Sequence, residues 1–407
     1  MEFNCKMVPL PDLLETIIDN RGRTVPTVEN GIKLIATNCI LNEKLFPVYE
    51  KVRYVSQETY ETWFRAHPKP GDIIFVNKGT PGKVCLIPDP IDFCIAQDMM
   101  AFRVKKDIVY NKYLLAVLRS KKIQMQIANT TVGFVIPHFK KSQLKELLIP
   151  IPSMDIQKKI GDIYFKLSYK EELNNQINNN LLKIATEYFE DEIYRKKETN
   201  WKKYSLKDLS KITNGYSYKG NELVEKSNVG MATIKNFERT GGFKLEGFKP
   251  ILTDRPKENQ YATKNDILIA CTDLTQNAEI IGNAILLLNT KNFEKVIISM
   301  DLVKAQSNNT LISNWFLYGI LNSKEFKNFA LGYKSGTTVL HLNKKCLEDF
   351  EIQLPNKDII EKVSKVIEKI YQKSSNILEE NQKLEQLRDT LLPKLMNGEI
   401  DLDKIEI

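Results

Sequence analysis

Arg21-Gly22-Arg23-Thr24 puts two guanidinium forks on either side of a glycine. A guanidinium offers paired donors that match the two acceptors on the guanine edge in the major groove. Asn77-Lys78-Gly79-Thr80-Pro81-Gly82-Lys83 places two ammonium groups among glycines and free amides, a composition suited to phosphate oxygens or base edges. In the second half, Tyr216-Ser217-Tyr218-Lys219 and Lys235-Asn236 mix aromatic and basic groups, and Thr272, Gln276 and Asn277 sit in one polar run. Carboxamides such as Gln276 and Asn277 pair bidentately with adenine. Each group has a plainer alternative: solvated ion pairs for the arginines, ordinary turns for the Asn-, Gln- and Thr-rich runs.

The chemistry that is missing narrows the class. There is no G-x-G and no G-x-x-x-x-G-K-[ST], so neither a dinucleotide fingerprint nor a P-loop is present. No Pro-Pro dipeptide exists to form the Pro-Pro-aromatic loop of amino-methyltransferases, and no predicted strand carries a Glu-x-Lys or Asp-x-Lys nuclease motif. His67, His138 and His341 are too few for a histidine metal site, and the six cysteines form no C-x-x-C pair. No catalytic, cofactor or metal residues are assigned. The cysteine pattern points to reduced thiols in a cytoplasmic protein. The start lacks a signal-peptide stretch, and no apolar run approaches the ~20 residues of a membrane span. A net charge of +8 permits a nucleic-acid footprint without demanding one.

The elements that must position these groups are written twice. At an offset of 203, His341 falls on His138, Gly336 on Gly133, Lys344 on Lys141, Leu347 on Leu144 and Pro355 on Pro152. A repeat this long means two similar domains, since solenoid repeats run roughly 20–50 residues. Groups kept in both copies, such as the two histidines, suit framework or backbone contact better than reading; Lys141 and Lys344 are candidates for holding phosphate. Each half predicts strands at 72–76, 84–87 and 100–104, or at 266–270, 283–288 and 296–300. One amphipathic helix follows at 113–127 and 315–329, then a Pro-ended strand at 147–152 and 350–355.

The apolar period then changes to seven. Val363, Ile370, Ile377, Leu384 and Leu391, with Val366 and Leu387, mark a coiled-coil seam. Ile160, Leu167, Asn174, Leu181 and Tyr188, seconded by Ile163, Ile177 and Ile184, mark another, and Asn174, Lys373 and Glu380 interrupt the inward positions. The simplest use of two such seams is mutual burial, giving antiparallel rods related by a pseudo-two-fold axis. The alternative is that each helix packs back on its own domain. The expected division is 1–152, 153–197 (helical), 198–355, 356–396 (helical) and a tail at 397–407, an α+β class.

The ending Leu391-Leu-Pro-Lys-Leu-Met-Asn-Gly-Glu-Ile400, the entry Ile149-Pro-Ile-Pro152 with Asp155-Ile-Gln157, and Ile17-Ile-Asp-Asn-Arg-Gly-Arg-Thr24 carry a resemblance. The chain resembles the specificity subunits of type I restriction-modification systems, the HsdS family. It departs where Ile360 replaces the second Gln and where the first helix ends in Tyr188-Phe-Glu-Asp-Glu-Ile193. The resemblance implies two target-recognition domains on double-stranded DNA, each reading one half of an asymmetric bipartite site, spaced by the helices. It implies two docked methyltransferase subunits holding S-adenosylmethionine, and restriction-translocase subunits using ATP and Mg. A type IIB-like recognition subunit and a protein-binding coiled-coil adaptor are the alternatives.

Overall fold

The computed structural model describes residues 5–400 except Arg21, Phe134, Thr240, Gln276 and Asn309. It forms two compact units: residues 1–173 with 381–407, and residues 174–380. Both long helices, Met154–Glu190 and Lys357–Met396, contribute to each unit.

The units repeat one architecture. In the first, the antiparallel order is Leu14–Asp19, Met99–Val104, Ile73–Val76, Val84–Leu86. In the second it is Ser210–Asn214, Leu302–Ser307, Ile267–Ala270, Ala284–Leu286. The central strands Ile73–Val76 and Ile267–Ala270 are continuous apolar runs because they are buried along their whole length. A smaller sheet in each unit contains one parallel pairing, Ile32–Ile35 with Phe93–Ile95 and Val229–Ala232 with Lys295–Ile298. The alternation of residues did not announce these. Asp72 starts the central strand by accepting from the Lys69 amide at 2.8 Å, and Asp266 accepts from the Thr263 amide at the same distance. Arg103 pairs with Asp72 at 2.8 Å in one copy, and Gln306 reaches Asp266 in the other.

The expected single helix is two in each copy. Asn111–Arg119 gives way to Lys121–Thr130, and Asn314–Leu321 to Lys324–Leu331. The break lies at Ser120 and Ser323, whose extended backbone and hydroxyls cap the following helix through the amides of Ile123 and Phe326. Each serine sits among polar neighbours, Arg119 and Lys121 in one copy and Asn322 and Lys324 in the other, and apolar residues recur on both sides, so the sequence pattern carries no mark of the cap.

The closing strand pairs with the opening one, Leu148–Ile151 with Lys6–Pro9 and Glu351–Leu354 with Lys202–Ser205, and delivers the chain to a long helix. Gln157 anchors that delivery in the first unit. It is 1% exposed, accepts from the Tyr110 amide at 3.0 Å and donates to the carbonyls of Ile108 and Pro152. Ile360, its counterpart, is buried in the apolar core instead. Gly161 lets the first helix approach closely, since a Cβ there would lie 2.6 Å from the Tyr113 amide nitrogen.

The long helices run antiparallel within each unit. The start of the first meets the end of the second around Ile163, Tyr164, Leu167, Leu391, Leu392 and Leu395, with Arg388 on Glu171 at 3.1 Å. In the other unit, Asn174 donates to Glu380 at 2.8 Å and Ser374 bonds Asn178. The seven-residue seam is only part of the packing. Ile177, Ile184 and Leu387 are exposed, as is Lys373, while Ile367, Tyr371, Ala185 and Phe189 are buried in the domain core. Each rod packs on its partner helix and on the core of whichever unit it runs through: Ala185 and Phe189 of the first helix join the core of residues 174–380, and Leu392 and Leu395 of the second join the core of the other unit. The buried stripe therefore follows the 3.6 period around the rod rather than staying on a 3.5 seam.

Candidate nucleic-acid interface

In the first unit, four segments meet at one edge of the main sheet. The loop 77–83 is bound to the hairpin 131–138: Gly79 donates to the Pro137 carbonyl at 2.9 Å, and Phe139 donates to the Asn77 carbonyl at 2.7 Å. Lys78 bridges His138 in strand fashion, and Asn77 and His138 side chains approach to 3.4 Å. Lys78 Nζ lies 3.7 Å from Asp98, whose own carbonyl accepts from the Asn77 amide. Lys141 reaches back to Asp19 at 3.2 Å, at the mouth of the 20–31 segment that carries exposed Arg23 and Thr24. Arg21 lies outside the described residues. Lys78 and Lys83 are half-buried.

The second unit builds the equivalent edge with different groups. Thr272–Asp273 pairs with Leu340–Leu342, which pairs with Lys334–Ser335. Lys344 donates to Asn214 Oδ1 at 2.5 Å, as Lys141 does to Asp19. The Tyr216 hydroxyl donates to Glu222 at 2.8 Å, and Arg255 binds the same carboxylate at 2.7 Å. The Arg255 guanidinium holds the Glu222 carboxyl down at about 2, helped by the Lys219 amide. Tyr218 is half-buried beside this knot, and Lys219, Lys235 and Asn277 are exposed. Gln276 lies outside the described residues.

Three candidates are corrected by their surroundings. Asn236 is 0% exposed; its amide donates to the Lys244 carbonyl and its oxygen accepts from Thr233, so it forms the turn that presents Lys235. Thr272 is buried and donates to Asp301 at 3.0 Å. Tyr216 is buried with its hydroxyl committed to Glu222. All three are framework, because polar side chains in tight turns satisfy the backbone before any ligand. Asp273 is an organiser the sequence did not flag. Burial would raise its pKa, but hydrogen bonds from Ile280, Thr275 and Ile281 outweigh this and lower it, tying the loop 272–281 together.

Among the described residues no cluster of His, Cys, Asp or Glu is placed to hold a metal, and no helix is long and apolar enough to cross a membrane. The thiols Cys85, Cys94 and Cys346 are pushed up to about 12 by burial.

The profile of the family described as the type I restriction modification DNA specificity domain matches residues 4–183 and again residues 198–388. The chain belongs to this family. The two specificity-domain matches coincide with the two repeated halves. Curated relatives include the type I restriction enzyme MjaIX specificity subunit of Methanocaldococcus jannaschii, 24% identical over 369 residues, covering 85% of this chain and 81% of that one. The HindI specificity subunit of Haemophilus influenzae is 25% identical, covering 82% and 87%. The fold is that of the type I restriction-modification S subunit from M. genitalium, with a TM-score of 0.59 at 16% identity over 97% of this chain and 96% of the other.

Proposed function

We propose that this specificity subunit reads an asymmetric bipartite DNA site, one half with each domain, and adds no catalysis of its own. One observation carries the reading. The two copies share a loop framework, Lys141 to Asp19 and Lys344 to Asn214, yet differ in nearly every exposed group mounted on it. A common mount with unlike tips suits two readers of unlike sequences. Lys78, Lys83, Arg23, Thr24 and Lys141 serve the first half-site, and Tyr218, Lys219, Lys235, Asn277 and Lys344 the second. Cations position the phosphates while shorter polar groups approach base edges. Chemistry comes from partners: methyltransferase subunits with S-adenosylmethionine, and restriction-translocase subunits with ATP and Mg, in the cytoplasm.

The test is to map methylated adenines in a host carrying this chain with its methyltransferase, before and after exchanging residues 1–152 for another recognition domain. The expected result is a split motif in which only one half changes. Change in both halves overturns the modular assignment. Affinity for random duplex that does not vary with salt overturns DNA reading itself and favours a protein adaptor.

A further inference from the structure

The hairpin 131–138 of the first domain is built on a firm base and ends in bare hydrocarbon. Val135 is 93% exposed, Ile136 56% and Val132 42%. Next in the chain, Phe139 is fully buried, and Ile127, a turn before the hairpin, is buried in the same core. The bend itself is strained in a way only glycine accepts. Gly133 has φ +95°, and a Cβ there would lie 2.7 Å from the Ile136 carbonyl oxygen. The second domain builds the same bend at Gly336, with φ +102° and a Cβ that would lie 2.2 Å from the Val339 oxygen. The bend is common, but its tip is not. Val135-Ile136 in one copy stands where Thr338-Val339 stands in the other, and Val132 where Ser335 does.

Adjacent branched aliphatic side chains in water gain nothing for the fold, so their use lies in what covers them. The covering surface is restricted by what the hairpin is joined to. Its backbone is hydrogen-bonded to the lysine loop through Gly79 and Phe139, and Lys78 bridges His138 directly. Exposed Lys140 and Lys141 follow the hairpin in the chain. A hydrocarbon tip flanked by ammonium groups matches a polyanion that offers apolar groups between its charges. A DNA major groove does so at each thymine, whose 5-methyl is its one apolar group.

Resting on the DNA-reading function above, we propose that Val135 and Ile136 enter the major groove of the first half-site and recognise thymine 5-methyl groups. The corresponding tip of the second domain, with Ser335 and Thr338, is suited to polar base edges, so thymine-methyl reading belongs to one half of the site.

The experiment uses the full chain with its methyltransferase partner and duplexes carrying the mapped motif. Thymines of the first half-site are replaced one at a time by uracil, which pairs identically but lacks the methyl. The expected result is a loss of affinity of about fourfold at one or two positions, the value of burying one methyl-sized group. The Val135→Ser, Ile136→Ser double variant is expected to bind the thymine duplex with the combined loss of the sensitive positions, about fourfold for one and about sixteenfold for two, and to be indifferent to uracil. Uracil in the second half-site is expected to leave the ratio between native and variant unchanged. A first half-site without A·T pairs, or one where every uracil is neutral, overturns the proposal without touching the DNA-reading function. So does a variant that binds DNA normally but no longer copurifies with the methyltransferase, which would make the tip a protein contact. Loss of salt-dependent binding to all duplexes by the native chain would instead overturn the parent reading.

Discussion

Lys141 Nζ lies 3.2 Å from the Asp19 carboxylate, and the same lysine in the second copy, Lys344, meets the neutral amide of Asn214. The mechanical link survives in both copies, but the net charge of the link differs by one. In the first domain the cation is half-neutralised at the edge where phosphates would approach; in the second it is not.

Asp19→Asn therefore converts the first link into the second without removing it. Exposed pairs of this kind contribute about 0–1 kcal/mol, so thermal stability is expected to change little. Affinity for random duplex is expected to rise, and the slope of log affinity against log salt to steepen by up to about one. Fluorescence anisotropy across a salt series measures it. An unchanged slope would place Lys141 away from the phosphates.

Asn236 and Lys235 are neighbours with opposite duties. Asn236→Ala leaves the Lys244 carbonyl and the Thr233 amide without their buried partner, at a cost of about 1–3 kcal/mol. Urea unfolding is expected to show that loss. Lys235→Ala is expected to be silent in urea and to flatten the salt slope of DNA binding. If both variants behaved alike, the division between turn and reader would be wrong.

Gln157 makes three buried hydrogen bonds that join the first long helix to its domain. Gln157→Ala strands the Tyr110 amide and two carbonyls, and a loss of about 2–4 kcal/mol is expected by urea titration. Ile360→Ala removes only hydrocarbon and, like other Ile→Ala core truncations, is expected to cost about 2–5 kcal/mol through a cavity rather than through unpaired groups. The two losses are separable by temperature. The cavity variant should show the smaller change in unfolding enthalpy.

The sheets were legible in the sequence because their strands are apolar runs bounded by Gly, Pro and Asp, and the duplication checked each against a second copy. Residues 72–76 and 266–270 needed only trimming by one position. The helix break was not legible, because Ser120 acts through a cap that composition does not reveal. The candidate site divides the same way. Lys78 and Lys83 lie where the strand pattern put them. Asn236, Thr272 and Tyr216 turned inward, because an Asn or Thr that closes a turn has the same one-letter appearance as one that reads a base. The tip at Val135-Ile136 was missed because apolar residues beside a strand are read as core. The available signal was that the duplicated Gly133 and Gly336 hold unlike tips.

Glu222 supplies a pH test of the second reading edge. Its carboxylate accepts from the Tyr216 hydroxyl at 2.8 Å, from the Lys219 amide at 2.6 Å and from Arg255 at 2.7 Å, and the Arg255 contact foremost lowers its pKa from 4.5 to about 2. A carboxyl depressed in the folded state contributes stability that is fully present above its unfolded value and lost as pH falls through the folded one. The loop 216–223 is thus expected to hold at neutral pH and to loosen between about pH 4.5 and about pH 2. Limited proteolysis of the full chain across that window should show cleavage entering this loop before the sheets open. Glu222→Gln is expected to be cut more readily at neutral pH and to show no further change on acidification. If the variant retained the native acid profile, the loop that carries Tyr218 and Lys219 would be held by something other than this carboxylate.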